Sequence, residues 1–444
     1  MLPRRLVTTA LGVALLVAPS AAHAATATTA PDGNLNYVGA PGELNDIGVS
    51  RVSGDTFRIV DHGAPIQAAQ GCTQEMPNQV SCTTAPGHPI VAHLGDMNDR
   101  AFSRTGRGVQ FFGEAGNDRL AGASGRDLID GGDGSDILSG GPGRDLIRGG
   151  PGDDQLFGNG GADLLGGEDG MDLLDGGAGN DAESGGAGND TFRQGPVANG
   201  ADTLFGGDGV DTADYSLRSA PVRVSIDNQA NDGDLRAGEH DDVRSSVETV
   251  LGGAGSDQLF GSDRDDTLVG GTGGDVIVGG RGNDRVDGGP GADQIAARDL
   301  SVDSIGCGDD SDSVAADPRD AVATDCEHVR RVASMSLRLA AVAFYPTLML
   351  RLRCPLTAFK YCAGKIIVTT TGRVPTRRGA QHLVVAAKRF LLDPFTERVT
   401  GVRVRAAAAP FVRRGGLEVR ARLSGFDGAG PARPAAIRFK LRRR

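Results

Sequence analysis

The chain has 444 residues, of which 69 are Gly and none is Trp, and aromatic residues make up 4%. Glycine at roughly twice its usual share, yet far below one residue in three, argues against both a collagen and an aromatic-packed enzyme core. The formal net charge of −11 conceals a division, because residues 330–444 hold 25 Lys and Arg against 4 Asp and Glu. An acidic body precedes a basic end.

Residues 1–24 read as an export signal. Arg4 and Arg5 precede the apolar run Leu6 to Ala18, and Ala22-His23-Ala24 offers a small-x-small cleavage site. That run is too short to span a bilayer. The best later candidate, Leu339 to Leu350, contains Pro346 and runs into Arg351. The mature chain is therefore expected to be secreted, without a transmembrane segment. Its six Cys suit structural disulfides. Local spacing favours Cys72–Cys82, Cys307–Cys326 and Cys354–Cys362, although sequence alone leaves about 15 connectivities open.

Residues 25–112 carry short alternating segments such as Asp55 to Val60 and Pro89 to Leu94, separated by Gly, Pro and Asn. They predict an N-terminal β cap region. From Gly113 the chain becomes periodic: GEAGNDRLA, GASGRDLID, GGDGSDILS and so on, nine consecutive nonapeptides ending at Arg193. Two more occupy residues 197–214 and five occupy 252–296, so 16 repeats fall within residues 113–296, around an insert at 215–251. Position 6 is always acidic: Asp118, Asp127, Asp136, Asp145, Asp154, Asp163, Asp172, Asp181, Asp190, Asp202, Asp211, Asp257, Asp266, Asp275, Asp284 and Asp293. Position 8 is mostly aliphatic, as in Leu120, Ile129 and Leu138.

This pattern resembles the calcium-binding nonapeptide G-G-x-G-x-D-x-U-x of the RTX, or hemolysin-type, family. The resemblance implies a parallel β-roll, a β-solenoid in which six residues form a metal-binding turn and three a short strand. Two repeats complete each turn of the roll. It further implies multiple Ca2+ ions, each between repeats i and i+2, with the sixteen Asp as metal ligands. That stacking gives about seven interior sites in the first block and about three in the last.

The residue types fit independently. Glycines let carbonyls turn inward, and a hard cation takes six to eight oxygens. Carboxylates stacked about 4.8 Å apart repel by roughly 1 kcal/mol per pair even in water. Folding is therefore expected to need the metal. Glu183 and Ala213 at position 8, and Arg264 at position 4, mark weak points. Alternation between two sheets places Leu128, Leu146, Leu164 and Ala182 in one outward column, a candidate docking strip, and Arg119, Ile137, Gln155, Leu173 and Thr191 in the other.

In the insert, Asn228, Asp232, Gly233 and Glu239 fall at positions 1, 5, 6 and 12 of an EF-hand loop, but Ala230 breaks the motif at position 3. A solvated acidic hairpin is the preferred reading. Residues 297–330, with Asp303, Asp309, Asp312, Asp317, Asp320 and Asp325 around two Cys, predict degenerate capping repeats. Residues 331–444 predict a basic β-sandwich domain that resembles immunoglobulin-like modules of exported proteins by pattern alone. Its charge suits an anionic cell-wall or surface polymer, whereas few interleaved aromatics argue against nucleic acid.

No H-E-x-x-H and no G-x-S-x-G occurs. The expected class is all-β: a β-roll of calcium-binding nonapeptides followed by an immunoglobulin-like sandwich. Its expected function is non-enzymatic, a secreted calcium-binding repeat protein with a structural or surface-adhesion role. The alternative is a secreted hydrolase carrying the repeats, for which no catalytic motif is present.

Overall fold

A computed structural model describes residues 24–234, 236–299 and 301–331, and, beyond them, β-strands between Arg338 and Arg443. The leader expected over residues 1–24 lies outside the described residues but for Ala24, as does the third disulfide.

The roll is a parallel β-solenoid of about 13 turns, without a helix among the described residues. Its register is the 18-residue period of the sequence. Leu128 pairs with Leu146 and Leu146 with Leu164 on one face, while Ile137 pairs with Gln155 and Gln155 with Leu173 on the other. Both expected outward columns form, and Leu164 is the most exposed of its column at 52%. The three residues inserted after Arg193 are absorbed in a loop, because Glu183 pairs with Leu204 and Phe192 with Ala213 in unbroken register.

Position 8 builds the core. Leu120, Ile129, Leu138, Ile147, Leu156, Leu165 and Leu174 are each at most 1% exposed. One aliphatic side chain per strand makes a thin core, so stacking neighbouring turns is what keeps water out. Glu183 takes such a core position with 0% exposure and neither carboxylate oxygen partnered. Burial raises its pKa well above the ordinary value, and nearby Asp202, Asp181, Asp175 and Asp241 add to the shift.

The sheets run upstream of residue 113. Strands Ile90–Gly95 and Val109–Ala115 stack on Leu128–Asp133, with Ala92, Phe111 and Ile129 in one inward column. Antiparallel hairpins close that end: Asp46–Ser53 pairs with Thr56–Asp61, and Cys72–Met76 pairs with Gln79–Thr83. The Cys72–Cys82 disulfide staples the second hairpin, and Cys307–Cys326 ties the last turns of the roll.

The insert exchanges one sheet for another. The face containing Leu128–Asp133 ends at Asp242–Val243, and a new six-stranded sheet starts at Arg223–Ser225 and runs to His328–Arg331. The opposite face continues without a break through Thr212–Asp214 and Thr249–Leu251. Farther along, seven strands within 338–443 form one sheet, all antiparallel neighbours except the parallel pair Arg338–Tyr345 and Ala436–Arg443. A two-layer sandwich there lies outside what is described.

Candidate metal centre

The fold buries the charge of position 6. All sixteen Asp of the consensus repeats are at most 3% exposed. One carboxylate oxygen is used in the same way along the roll: Oδ1 accepts the backbone N–H of the acidic residue one turn upstream. The Asp118 N–H donates to Asp136 at 2.7 Å, Asp136 to Asp154 at 2.7 Å, and Asp154 to Asp172 at 2.9 Å. On the other face Asp127 donates to Asp145 at 2.8 Å and Asp145 to Asp163 at 2.7 Å.

The second oxygen divides the repeats. Oδ2 of Asp118, Asp136, Asp145, Asp154, Asp163, Asp172, Asp181, Asp190, Asp211, Asp275, Asp284 and Asp293 is buried without a hydrogen-bond partner. In Asp127, Asp257 and Asp266 it accepts a backbone N–H of its own turn, from Ala123 at 2.9 Å, Gly253 at 2.8 Å and Ser262 at 2.5 Å. In Asp202 it accepts from Asn199 Nδ2 at 3.0 Å.

Stacking explains the division. The residues one turn above Asp127 and Asp257 are Val109 and Val222, which bring no carboxylate. Asp266 belongs to the repeat with Ser262 and Arg264 in place of glycine, and Asp202 to the one that starts with Val197. Arg264 turns outward to Glu248 at 3.4 Å. Within the consensus repeats an oxygen is left unpartnered where one acidic turn stacks beneath another and positions 1 and 4 are both glycine.

Position 1 must be glycine for a steric reason. A Cβ placed on Gly149 would lie 2.2 Å from Asp154 Oδ2 and 2.7 Å from the Gly167 carbonyl oxygen; on Gly270 the distances to Asp275 Oδ2 and the Gly288 carbonyl are 2.4 and 2.5 Å. A carboxylate oxygen and a carbonyl oxygen of the next turn thus converge on a space that any side chain would fill. Among the described residues no three His, Cys, Asp or Glu side chains gather at one point. Each turn offers one carboxylate plus main-chain carbonyls, an all-oxygen set that suits a hard cation such as Ca2+.

Electrostatics agree. Burial pushes Asp118, Asp145, Asp154 and Asp293 up to about 7 and Asp284 to about 8, with stacked Asp neighbours adding to the rise. A carboxylate stripped of water and given one hydrogen bond is costly when ionised. A cation beside Oδ2 removes that cost. The residues present fit the ion.

Sequence reasoning missed ladder members that lack the glycines. Asp99 accepts from Asn45 and donates to Asp118 at 2.7 Å, Asp241 accepts from Asp202 at 3.0 Å, and Glu248 accepts from Asp211 at 3.1 Å. Each is followed two residues later by an apolar residue, Ala101, Val243 or Val250. An acid-x-apolar spacing alone would have found them. Asp303 and Asp312 extend the ladders downstream, accepting from Asp284 at 3.0 Å and Asp293 at 2.9 Å.

The acidic stretch of the insert is not a solvated hairpin. Asp232, Glu239 and Asp241 are at most 2% exposed. Glu239 is held by both terminal nitrogens of the buried Arg218 at 2.7 and 2.9 Å, and Asp232 accepts the Ser225 and Val243 N–H groups. An arginine occupies Glu239, so the EF-hand reading fails. The hairpin forms, with Asp232 and Asp241 exchanging backbone hydrogen bonds at 3.0 and 3.1 Å, but its acidic side chains are buried rather than solvated.

Comparison with known families agrees with this geometry. The profile described as RTX calcium-binding nonapeptide repeat (4 copies) matches residues 112–147, 130–165, 139–172, 167–192, 198–215, 245–263 and 260–295. No curated protein matches the chain. The periodic region of this chain is an array of RTX calcium-binding nonapeptide repeats, which bind multiple Ca2+ ions.

Proposed function

We propose that this is a secreted, non-enzymatic calcium-binding protein whose roll folds as calcium binds. One observation carries the reading: twelve consensus Asp place an unpartnered Oδ2 in the buried edge of the roll, each beneath another acidic turn. Bound calcium supplies the positive charge that those oxygens lack. The chain's own residues do the rest. Oδ1 fixes the spacing of the turns, position-1 glycine keeps the space open, and position-8 aliphatics close the core. Those twelve are the proposed ligands, while Asp127, Asp202, Asp257 and Asp266 keep their internal donors.

Calcium-poor cytosol would leave the array unfolded for export, and extracellular calcium would lock it. The test is the hydrodynamic radius of the mature chain in chelator and in millimolar calcium. The reading requires marked compaction with calcium, and equal radii would refute it.

For the basic C-terminal domain of residues 331–444 we propose binding to an anionic cell-wall or surface polymer, giving the protein an adhesive or structural role. Its support is the excess of 25 basic over 4 acidic residues in 330–444. Co-sedimentation with a polyphosphate-bearing wall polymer should be strong at low salt and fall steeply as salt rises. Salt-insensitive or absent binding would remove the proposal.

A further inference from the structure

We infer that the outer face of the sheet containing Leu128–Asp133 pairs with the same face of a second copy of this chain. The two-fold axis runs parallel to the strands, midway between Leu128–Asp133 and Leu146–Pro151. The inference goes beyond calcium binding and needs only the folded roll.

Eight strands of that sheet stack parallel and in unbroken register, from Leu35–Val38 at one end to Thr203–Asp208 at the other. Each turns two side chains outward, so the face carries two columns. An axis along the strands keeps each column facing itself and reverses the order of the strands. The fourth strand then meets the partner's fifth, and the first meets its eighth. In such a pairing every contact occurs twice, once on each side of the axis.

The reversal sets opposite charges together and bulk against space. At the centre Leu128 meets the partner's Leu146, and Asp130 meets the partner's Arg148. Asp130 and Arg148 are neighbours on adjacent strands, and neither forms an ion pair among the described residues. One strand farther out, the Phe112 ring meets the partner's Gly166. A Cβ on Gly166 would find no atom within 4 Å, so the face has a gap there, while Phe112 is held in place by stacking on His93 with ring centroids 4.7 Å apart.

The exposed apolar side chains of this face find cover in the same arrangement. Val38 and Phe205, 45% and 42% exposed, stand on the first and eighth strands and meet across the axis. Leu164, 52% exposed, lies against the partner's Gln110 and beside its Phe112. Apolar side chains gathered on one face and rimmed by polar ones mark an interaction surface. Eight strands about 4.8 Å apart and roughly 16 Å wide cover about 600 Å² per copy, or about 1,200 Å² in total, which is the size of a specific interface.

The experiment is sedimentation velocity of the full mature chain in millimolar calcium, over a wide micromolar range. A monomer–dimer equilibrium is expected. Arg148→Asp and Asp130→Arg each set like charges opposite one another at both symmetric contacts. Either should weaken the dimer by at least roughly a hundredfold and leave the β signal in circular dichroism unchanged. Mixing the two variants sets opposite charges at both contacts again, so a mixed dimer should return. Were the two residues coupled only within one chain, mixing would restore nothing.

A monomer at every concentration would overturn the inference and leave the face open to a different partner. So would a dimer that survives both single variants, since it would then assemble through another surface, the basic domain included. Failure of the mixture to dimerise would overturn the two-fold pairing. Should either charge variant fail to fold, Leu164→Arg decides, because its position is already half exposed. That variant should keep the β signal and lose the dimer, and an unchanged dimer would contradict the proposal.

Discussion

Two regions of the roll bury carboxylates in rows and neutralise them by different means. In the consensus turns each Asp keeps one oxygen without a protein partner, in a space bounded by a main-chain carbonyl. In the insert the charge of Glu239 and Asp241 is met from within the chain. Arg218, with its side chain 1% exposed, grips Glu239 through two nitrogens and Asn199 through one, and the Tyr215 hydroxyl donates to Asp241 at 2.9 Å. The contrast teaches that a row of Asp is not by itself a metal site. What marks one is an oxygen left over by the chain's own donors and facing a main-chain carbonyl across a space that glycine keeps open.

The largest expected effect is that of pH on the calcium-free chain. Both regions share in it, since burial also raises Asp232 to about 8 and Asp241 to about 7 in the insert. Burial raises Asp118, Asp145 and Asp154 to about 7 and Asp284 to about 8. A folded pKa above the unfolded value of about 3.9 means that the native state holds more protons between the two values. Stability from the roll should thus be greatest near pH 4 and fall as pH rises to about 8. In chelator, far-UV circular dichroism should give more β signal at pH 5 than at pH 8. Calcium should abolish the difference at neutral pH and release protons as it binds.

Next in size is Arg218→Met. Removing the guanidinium leaves Glu239 buried without its partner, at a cost of about 3–5 kcal/mol. Thermal unfolding in saturating calcium should shift downward, with the calcium count unchanged. A lost ion would mean that the junction also depends on metal.

Smaller, and opposite in character, is Gly149→Ala. Its Cβ would occupy the space between Asp154 Oδ2 and the Gly167 carbonyl. Overpacking of this kind costs about 1–3 kcal/mol, and here it should also remove an ion. Calorimetric titration would register both.

The finest comparison is between two aspartates of the same repeat position. Asp266→Asn removes a carboxylate already served by the Ser262 N–H and hydroxyl, so the calcium count should stay the same. Asp163→Asn removes an unpartnered oxygen and should lower the count. Equal counts in the two variants would dissolve the distinction drawn here.

Much of this was legible in the sequence, because the repeats are local. The nine-residue period, Asp at position 6 and aliphatics at position 8 set the face, the register and the core of each coil. The Cys72–Cys82 and Cys307–Cys326 bridges also followed from short spacing. Which Asp keep a free oxygen was hidden, since it depends on what lies 18 residues upstream in space, Val109 above Asp127 but Asp118 above Asp136. The insert was least legible. Arg218 meets Glu239 only through the exchange of sheets, and no periodicity announces a pair brought together by a single coil.

One measurement bears most directly on calcium-coupled folding: far-UV circular dichroism of the mature chain at pH 7.5 as calcium is added, with magnesium in parallel. Cooperative gain of β signal with calcium, and little with magnesium, is the predicted result. No change on adding calcium, or an equal response to magnesium, would contradict it, because the unpartnered Asp oxygens would then be accommodated without the ion.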